Sequence, residues 1–270
     1  MSAPWLPVRR QTGFAIDLGS ARTRVWALGR GMVLDVPTVT FPGSGTVRPV
    51  RPVRSVRPVR SGVIDVPGTA RMLDRLLRHR LPGLGRPLVV LTAPVLDGVA
   101  YRAAARAAVE VLRPRTVLTV PTARAVALAA REDLNRPLLV VDVGAHLTET
   151  VLLVDGAVTD AHRAKPGTAD LDADPAAAAR LVDALVATVA TVLEEDRTAA
   201  APAALAHGIL LAGGGALRPE VVYRLARRLD VPVKVVPAPH TAAVRGAAEL
   251  LGSARLHPSF TGNVRAPVPE

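Results

Sequence analysis

Apolar residues fall in short runs separated by longer stretches with helical spacing. Two runs share one design. Phe14-Ala15-Ile16-Asp17-Leu18-Gly19 leads through Ser20-Ala21-Arg22-Thr23-Arg24 into Val25-Trp26. Leu139-Val140-Val141-Asp142-Val143-Gly144 leads through Ala145-His146-Leu147-Thr148-Glu149-Thr150 into Val151. Each pattern predicts a hairpin with an acid ending its first strand and a glycine in its turn. The two acids stand 142 − 17 = 125 positions apart. Such a repeat implies two related half-domains facing one ligand.

The rest of the chain alternates strands with helices. Strands are expected at 13–18, 24–28, 32–34, 87–92, 116–120, 138–142, 150–154, 157–161, 209–211 and 233–236. Helices are expected at 67–80, from Asp97 as N-cap to 112, at 122–131, at 176–193, after the glycine run to 229, and at 241–251. The alternation argues for a mostly parallel α/β sheet. Gly213-Gly214-Gly215 lies between a strand and a helix start, where backbone N–H groups and the positive helix end suit an anion.

One stretch has a different period. From Val47 to Arg60, arginine recurs at Arg48, Arg51, Arg54, Arg57 and Arg60, valine one position before each, and proline at 49, 52 and 58. Polyproline II has three residues per turn and rises about 3.1 Å per residue, so the arginines would line one edge roughly 9 Å apart. The segment reads as an extended spacer or as a basic rail for an anionic partner.

Composition narrows the function classes. At 49% hydrophobic, the 270 residues can build real cores. No apolar stretch reaches the roughly 18–20 residues of a membrane span. No apolar segment follows Arg9-Arg10, so no signal peptide is read and a cytoplasmic setting is expected. There is no cysteine, which excludes disulfides and thiolate metal sites. The net charge is +11, almost all of it arginine, since Lys165 and Lys234 are the sole lysines. This fits a GC-rich genome or an anionic partner.

With these motifs in order, the sequence resembles the bacterial actin family of rod-shape proteins, MreB and Mbl. Ile16 to Thr23 looks like the family's first phosphate loop, and Asp142-Val143-Gly144 through Glu149 its second. Gly208-Ile209-Leu210-Leu211-Ala212-Gly213-Gly214-Gly215-Ala216-Leu217 looks like its adenosine motif. Gly29 to Val39, Arg57 to Asp65, Val231 to Val233 and Thr241 to Gly246 follow the same rhythm. The resemblance implies an α/β, actin-like (ribonuclease H-like) duplicated ATPase fold with two facing core subdomains, here 13–135 and 136–252. Residues 1–12 and 253–270 would be tails and 47–60 an insert. It further implies ATP and Mg²⁺ as ligands. Nucleotide would be bound by Asp17, Gly19, Ser20, Ala21, Arg22, Thr23, Asp142, Gly144, Ala145, His146, Thr148, Gly213, Gly214, Gly215, Ala216 and Leu217. Asp17 and Asp142 would face the metal through water.

The departures carry expectations too. The chain is short where both peripheral subdomains should stand, between Val39 and Arg57 and between Asp170 and Ala176. His146 and Leu147 put bulk where the second loop should be a glycine run. The family's water-activating glutamate would fall in 117–127, which holds no carboxylate. Little or no ATP hydrolysis is therefore expected. The reading that follows is an MreB-like cytoskeletal protein with a degenerate nucleotide site, acting in cell-shape, cell-wall or spore-wall morphogenesis. Its implied partners are itself or a full-length MreB-type filament, the cell-wall synthesis machinery and an anionic membrane surface, with nucleic acid not expected. The alternatives are an active ATPase or small-molecule kinase on the same fold, and a basic adaptor that binds membrane or nucleic acid through Arg48–Arg60.

Overall fold

The computed structural model describes residues 12–39, 59–60, 63–78, 86–96, 98–171 and 176–257. The Arg-Pro-Val repeat lies outside them apart from Val59 and Arg60, which form the two-residue strand β4 (Val59–Arg60) beside β5 (Val63–Ile64). Asp97 also lies outside.

The first hairpin is β1 (Gly13–Leu18) against β2 (Arg22–Ala27), extended by β3 (Gly31–Pro37). The helix α1 (Val66–Leu77) follows, capped by Asp65, whose carboxylate accepts the Gly68 N–H at 3.2 Å. It ends at Leu77, short of the expected Arg80. Then come β6 (Leu88–Ala93), α2 (Gly98–Val109), β7 (Thr116–Pro121) and α3 (Thr122–Ala129). The strands form a sheet in the order β3-β2-β1-β6-β7.

The second half repeats the plan. The hairpin β8 (Leu138–Val143) and β9 (Thr148–Val154) is extended by β10 (Ala157–Ala164). After α4 (Ala177–Glu195) and α5 (Ala200–His207) come β11 (Ile209–Ala212), α6 (Pro219–Leu229), β12 (Val233–Val235) and α7 (Ala242–Leu256). The sheet order is β10-β9-β8-β11-β12. In both sheets the hairpin side is antiparallel and only the later strands pair in parallel. The expected mostly parallel sheet is therefore half of each sheet, because tight hairpins can join only antiparallel strands.

Each sheet is covered on both faces, which explains the near-continuous apolar runs of β6 and β8. α1 and α2 cover one face of the first sheet through Leu73, Leu77, Tyr101, Ala105 and Val109. The other face receives Val244, Ala247 and Leu251 of α7, from the far end of the chain. In return, α3 places Ala123, Val126 and Ala127 against the second sheet. Each half thus lends a helix to the other, which holds the two sheets together around the cleft. The α4, α5 and α6 layer fills the remaining face through Leu181, Leu185, Val189, Ala201, Ala204, Val221 and Leu225.

Two elements differ from expectation. Helix α5 has no counterpart in the sequence reading. Its Ala-rich stretch shows no apolar periodicity, and tertiary burial of Ala201 and Ala204 fixes it. Helix α7 continues to Leu256 past Gly252, where a loose tail was expected. Between β10 and α4 the chain makes one 3₁₀ turn, Thr168–Asp170, so this connection carries no lobe among the described residues.

Candidate functional site

Both hairpin turns are built alike. A Cβ on Gly19 would stand 2.7 Å from the Arg22 carbonyl oxygen, and one on Gly144 2.7 Å from that of Leu147. Only glycine permits so tight a turn with its backbone facing outward. Buried threonines brace the loops from behind. Thr38 Oγ1 donates to the Gly19 carbonyl at 2.6 Å and pairs with Thr23 Oγ1 at 2.9 Å. Thr148 Oγ1 donates to the Pro166 carbonyl at 3.0 Å. Thr23 and Thr148, expected at phosphates, therefore shape the loops instead of facing the cleft.

The loops border a cavity of about 310 Å³ at the carboxyl ends of β1, β6, β8 and β11. Of the expected residues, Asp17, Gly19, Ser20, Ala21, Arg22, Asp142, Gly144, Ala145, Gly213 and Gly214 line it. His146 is beside it, at the loop tip. Gly215 and Ala216 are buried in the turn, and Leu217 is 54% exposed, pointing away to solvent. Gly213 has φ +82°, and any side chain there would collide with the Asp142 carboxylate and the Val143 carbonyl. The glycine run thus lets the β11 turn reach Asp142.

Around Asp17 the charges are balanced. Thr92 Oγ1 donates to Asp17 Oδ1 at 2.8 Å, and Arg24 Nη1 lies 3.5 Å from Oδ2. Arg24 also reaches Asp35, with Nε 3.3 Å from Oδ1. Arg22 turns outward, its Nε donating to Asp35 Oδ1 at 2.6 Å and its Nη2 to the Asp35 carbonyl at 2.8 Å. Burial alone would raise the Asp35 carboxyl, but hydrogen bonding from Arg22 and the charges of both arginines hold it below its usual range. Buried Tyr101 donates to the Leu18 carbonyl at 2.8 Å; its phenol is pushed far up by burial and by Asp17.

Around Asp142 the charges are not balanced. Its carboxyl is pushed up to about 7 by burial, then by Asp17 and Glu149, with only Arg24 opposing. Glu149 is 6% exposed and fully engaged. Its Oε2 accepts the Val95 N–H at 3.0 Å, and its Oε1 accepts the Leu96 N–H at 3.1 Å and Arg163 Nη2 at 2.9 Å. Arg163 also donates to the Leu96 carbonyl. These contacts tie β9 to the turn after β6, one sheet to the other. A second tie joins the loop tips, where Ser20 Oγ and His146 Nδ1 are 2.9 Å apart.

Sequence reasoning missed Arg24, Thr92, Tyr101, Glu149 and Arg163. The signal for the first and fourth was present in the repeat. With the 125-residue offset, Arg24 and Glu149 are equivalent positions, each opposite its acid in the strand register, Asp17↔Arg24 and Asp142↔Glu149.

Two sheets of identical order, exchanged helices and a cleft between paired Asp-x-Gly hairpins make up an actin-like fold. Residues 173–258 match the MreB/Mbl protein family. That match covers about a third of the chain, and over its whole described length the chain is similar in fold to MreB-type proteins. It superposes on a crystal structure of MreB5 of Spiroplasma citri bound to AMPPNP with a TM-score of 0.79 at 16% identity, covering 91% of this chain and 97% of that one. A MamK double helical filament gives 0.70 at 18% identity, covering 90% and 99%. The ethanolamine utilization protein EutJ from Carboxydothermus hydrogenoformans gives 0.62 at 15% identity, covering 90% and 91%. No curated protein matches the sequence. Among the described residues, no helix is long and apolar enough to cross a membrane.

Proposed function

We propose that this chain is a bacterial actin-like cytoskeletal protein that holds a nucleotide in its cleft and does not turn it over. It acts by associating with itself or with a longer MreB-type filament. The setting is cell-shape or cell-wall morphogenesis, the spore wall included, next to the wall-synthesis machinery and an anionic membrane surface.

The observation that carries this reading is the engagement of Glu149. It is a buried carboxylate of the cleft, and main-chain N–H groups and Arg163 hydrogen-bond to both its oxygens. A general base needs a free acceptor within hydrogen-bond reach of the water it activates. The turn and helix that enter the cleft from β7 contribute Thr122 and Val126, neither of them a base. Nucleotide binding is supported by the paired loops and by the bound AMPPNP and ADP of the MreB5 structures with the same fold.

Asp17 and Asp142 offer the oxygen ligands that Mg²⁺ takes through water. The raised Asp142 carboxyl marks a place short of positive charge, and this fits such an ion. Bound there, the ion would neutralise phosphate charge. The protein's own part is to hold the phosphates against the Gly19 and Gly144 turns.

The test is single-turnover phosphate release with ATP and Mg²⁺, run with sedimentation of the protein alone and with an MreB-type filament. No release above the nucleotide background and recovery in the pellet are expected. Phosphate release abolished by Asp142→Ala would establish an ATPase or kinase instead. Absence from every pellet would remove the filament reading.

A further inference from the structure

We propose that Asp160, His162 and Glu195 form a binding site for a divalent transition-metal ion of the zinc class. The site lies on the outer edge of the second sheet, and none of the three residues lines the nucleotide cleft.

β10 is the edge strand, and its register against β9 shifts between Val158 and Asp160. The extra residue of such a bulge re-aims the side chains beside it. Asp160 and His162 are two apart on the strand and so share a face. They stand opposite Leu152 and Thr150. That face packs on α4, where Thr150 Oγ1 meets Thr188 Oγ1 at 2.8 Å. Glu195, the last residue of α4, is two helical turns beyond Thr188 and returns to the same side. One ligand atom from each of the three residues then falls within 4.8 Å of the other two.

Spacing and burial distinguish this cluster from an ordinary ion pair. His162 Nε2 is 3.4 Å from Asp160 Oδ2 and 3.2 Å from Glu195 Oε2. A charged N–H···O bond closes to about 2.7–2.9 Å. Two ligands bonded to one tetrahedral ion at about 2.0–2.1 Å stand about 3.3 Å apart. His162 Nε2 and Asp160 Oδ2 are also buried atoms with no hydrogen-bond partner among the described residues. A buried polar atom without a partner is costly, and a shared ion would satisfy both at once. Asp160 Oδ1 accepts the Ala161 N–H at 2.7 Å, which fixes the carboxylate and leaves Oδ2 for the ion.

The local charge points the same way. α4 ends on Glu194 and Glu195 with no basic residue in its last turn, although a helix C-terminus favours cations. Arg163 is turned to the other side of β10, toward Glu149. Asp196 is committed to the start of α5, accepting the Thr198 and Ala201 N–H groups. A dication would neutralise the two carboxylates. An imidazole among the ligands selects zinc-type ions over Mg²⁺ and Ca²⁺, which take oxygen. With three protein ligands, a tetrahedral ion keeps its fourth position for water. Bound there, it would clasp the edge strand to the joint between α4 and α5.

The experiment is calorimetric titration of the full chain with Zn²⁺ and, separately, with Mg²⁺, alongside melting curves. Zn²⁺ in about hundredfold excess over its dissociation constant should raise the melting temperature by about 5 °C, and Mg²⁺ should not. His162→Gln and Glu195→Gln each remove one ligand and should weaken zinc binding at least about tenfold. Glu195 is exposed at a helix end, so its variant should fold even if the other does not, and metal-free melting curves verify this. A parent chain that binds no zinc would overturn the proposal. Unchanged zinc affinity in the folded variants would overturn it too, by placing the ion elsewhere on the chain. Equal stabilisation by Mg²⁺ would overturn the zinc class.

Discussion

The two hairpins are near copies in backbone and opposites in charge. In the first, the residue across from the strand-end acid is Arg24; in the second it is Glu149. Asp17 therefore has a cation and a hydroxyl beside it, while Asp142 faces a second carboxylate and rises to about 7. The duplicated backbone supplies the cleft. One residue type at one register position decides whether each half of it is neutral or strained. The first half pairs its acid with a cation and a hydroxyl and keeps its loop braced. The second half spends its other carboxylate on joining the sheets.

Removing that junction should have the largest effect. Glu149→Ala leaves Arg163 without its carboxylate and the Val95 and Leu96 N–H groups without acceptors. Breaking a buried pair in this way costs about 3–5 kcal/mol. Urea unfolding should show the loss, and hydrogen exchange should rise at 95–96 more than in β1. If exchange at the Val95–Leu96 turn is unchanged, Glu149 is not what joins the halves.

Relieving the strain should come next, with the opposite sign. The Asp142 carboxyl moves from the ordinary 3.8 up to about 7 on folding. Between those values the folded chain keeps a proton that the unfolded chain has lost, so stability falls as pH rises through the window. Below the window nothing is lost, and above it the full cost is in place. Asp142→Asn removes the titration and should flatten the melting temperature between pH 5 and 8. At pH 8 it should gain on the order of 2 kcal/mol over the parent chain. A parent melting temperature that rises over this range would contradict the assignment.

The hairpins were legible because everything that makes them is local. The acid, the glycine and the apolar run lie within a few residues of one another, and repeating the motif exposed the duplication. The charge contrast was also written in the chain, at Arg24 and Glu149, but reading it required the strand register. Residues that meet only in space gave no local signal. Ser20 and His146 are far apart in sequence, and Thr92 reaches Asp17 from a different strand. Thr23 and Thr148 read as phosphate contacts because they follow the loop glycines; strand alternation turns them inward instead. Helix α5 escaped notice because alanine fits any face. The parallel-sheet expectation overreached because β-α alternation describes only the later strands of each half.

The smallest effects should come from the first hairpin, where two arginines share one acid. Arg24 is 12% exposed on its side chain and stands between Asp17 and Asp35. Arg22 is 43% exposed and touches only Asp35 and its backbone. Arg24→Leu leaves Asp17 with Thr92 alone, makes the first half resemble the second, and should cost about 1–2 kcal/mol near neutral pH. Arg22→Ala removes a solvent-screened pair and should cost about 0.5 kcal/mol or less, falling toward zero in 1 M salt. Unfolding both variants at low and high salt orders the two contributions. If Arg22→Ala costs more than Arg24→Leu, the neutral character of the first half comes from its surface and not from the arginine facing the cleft.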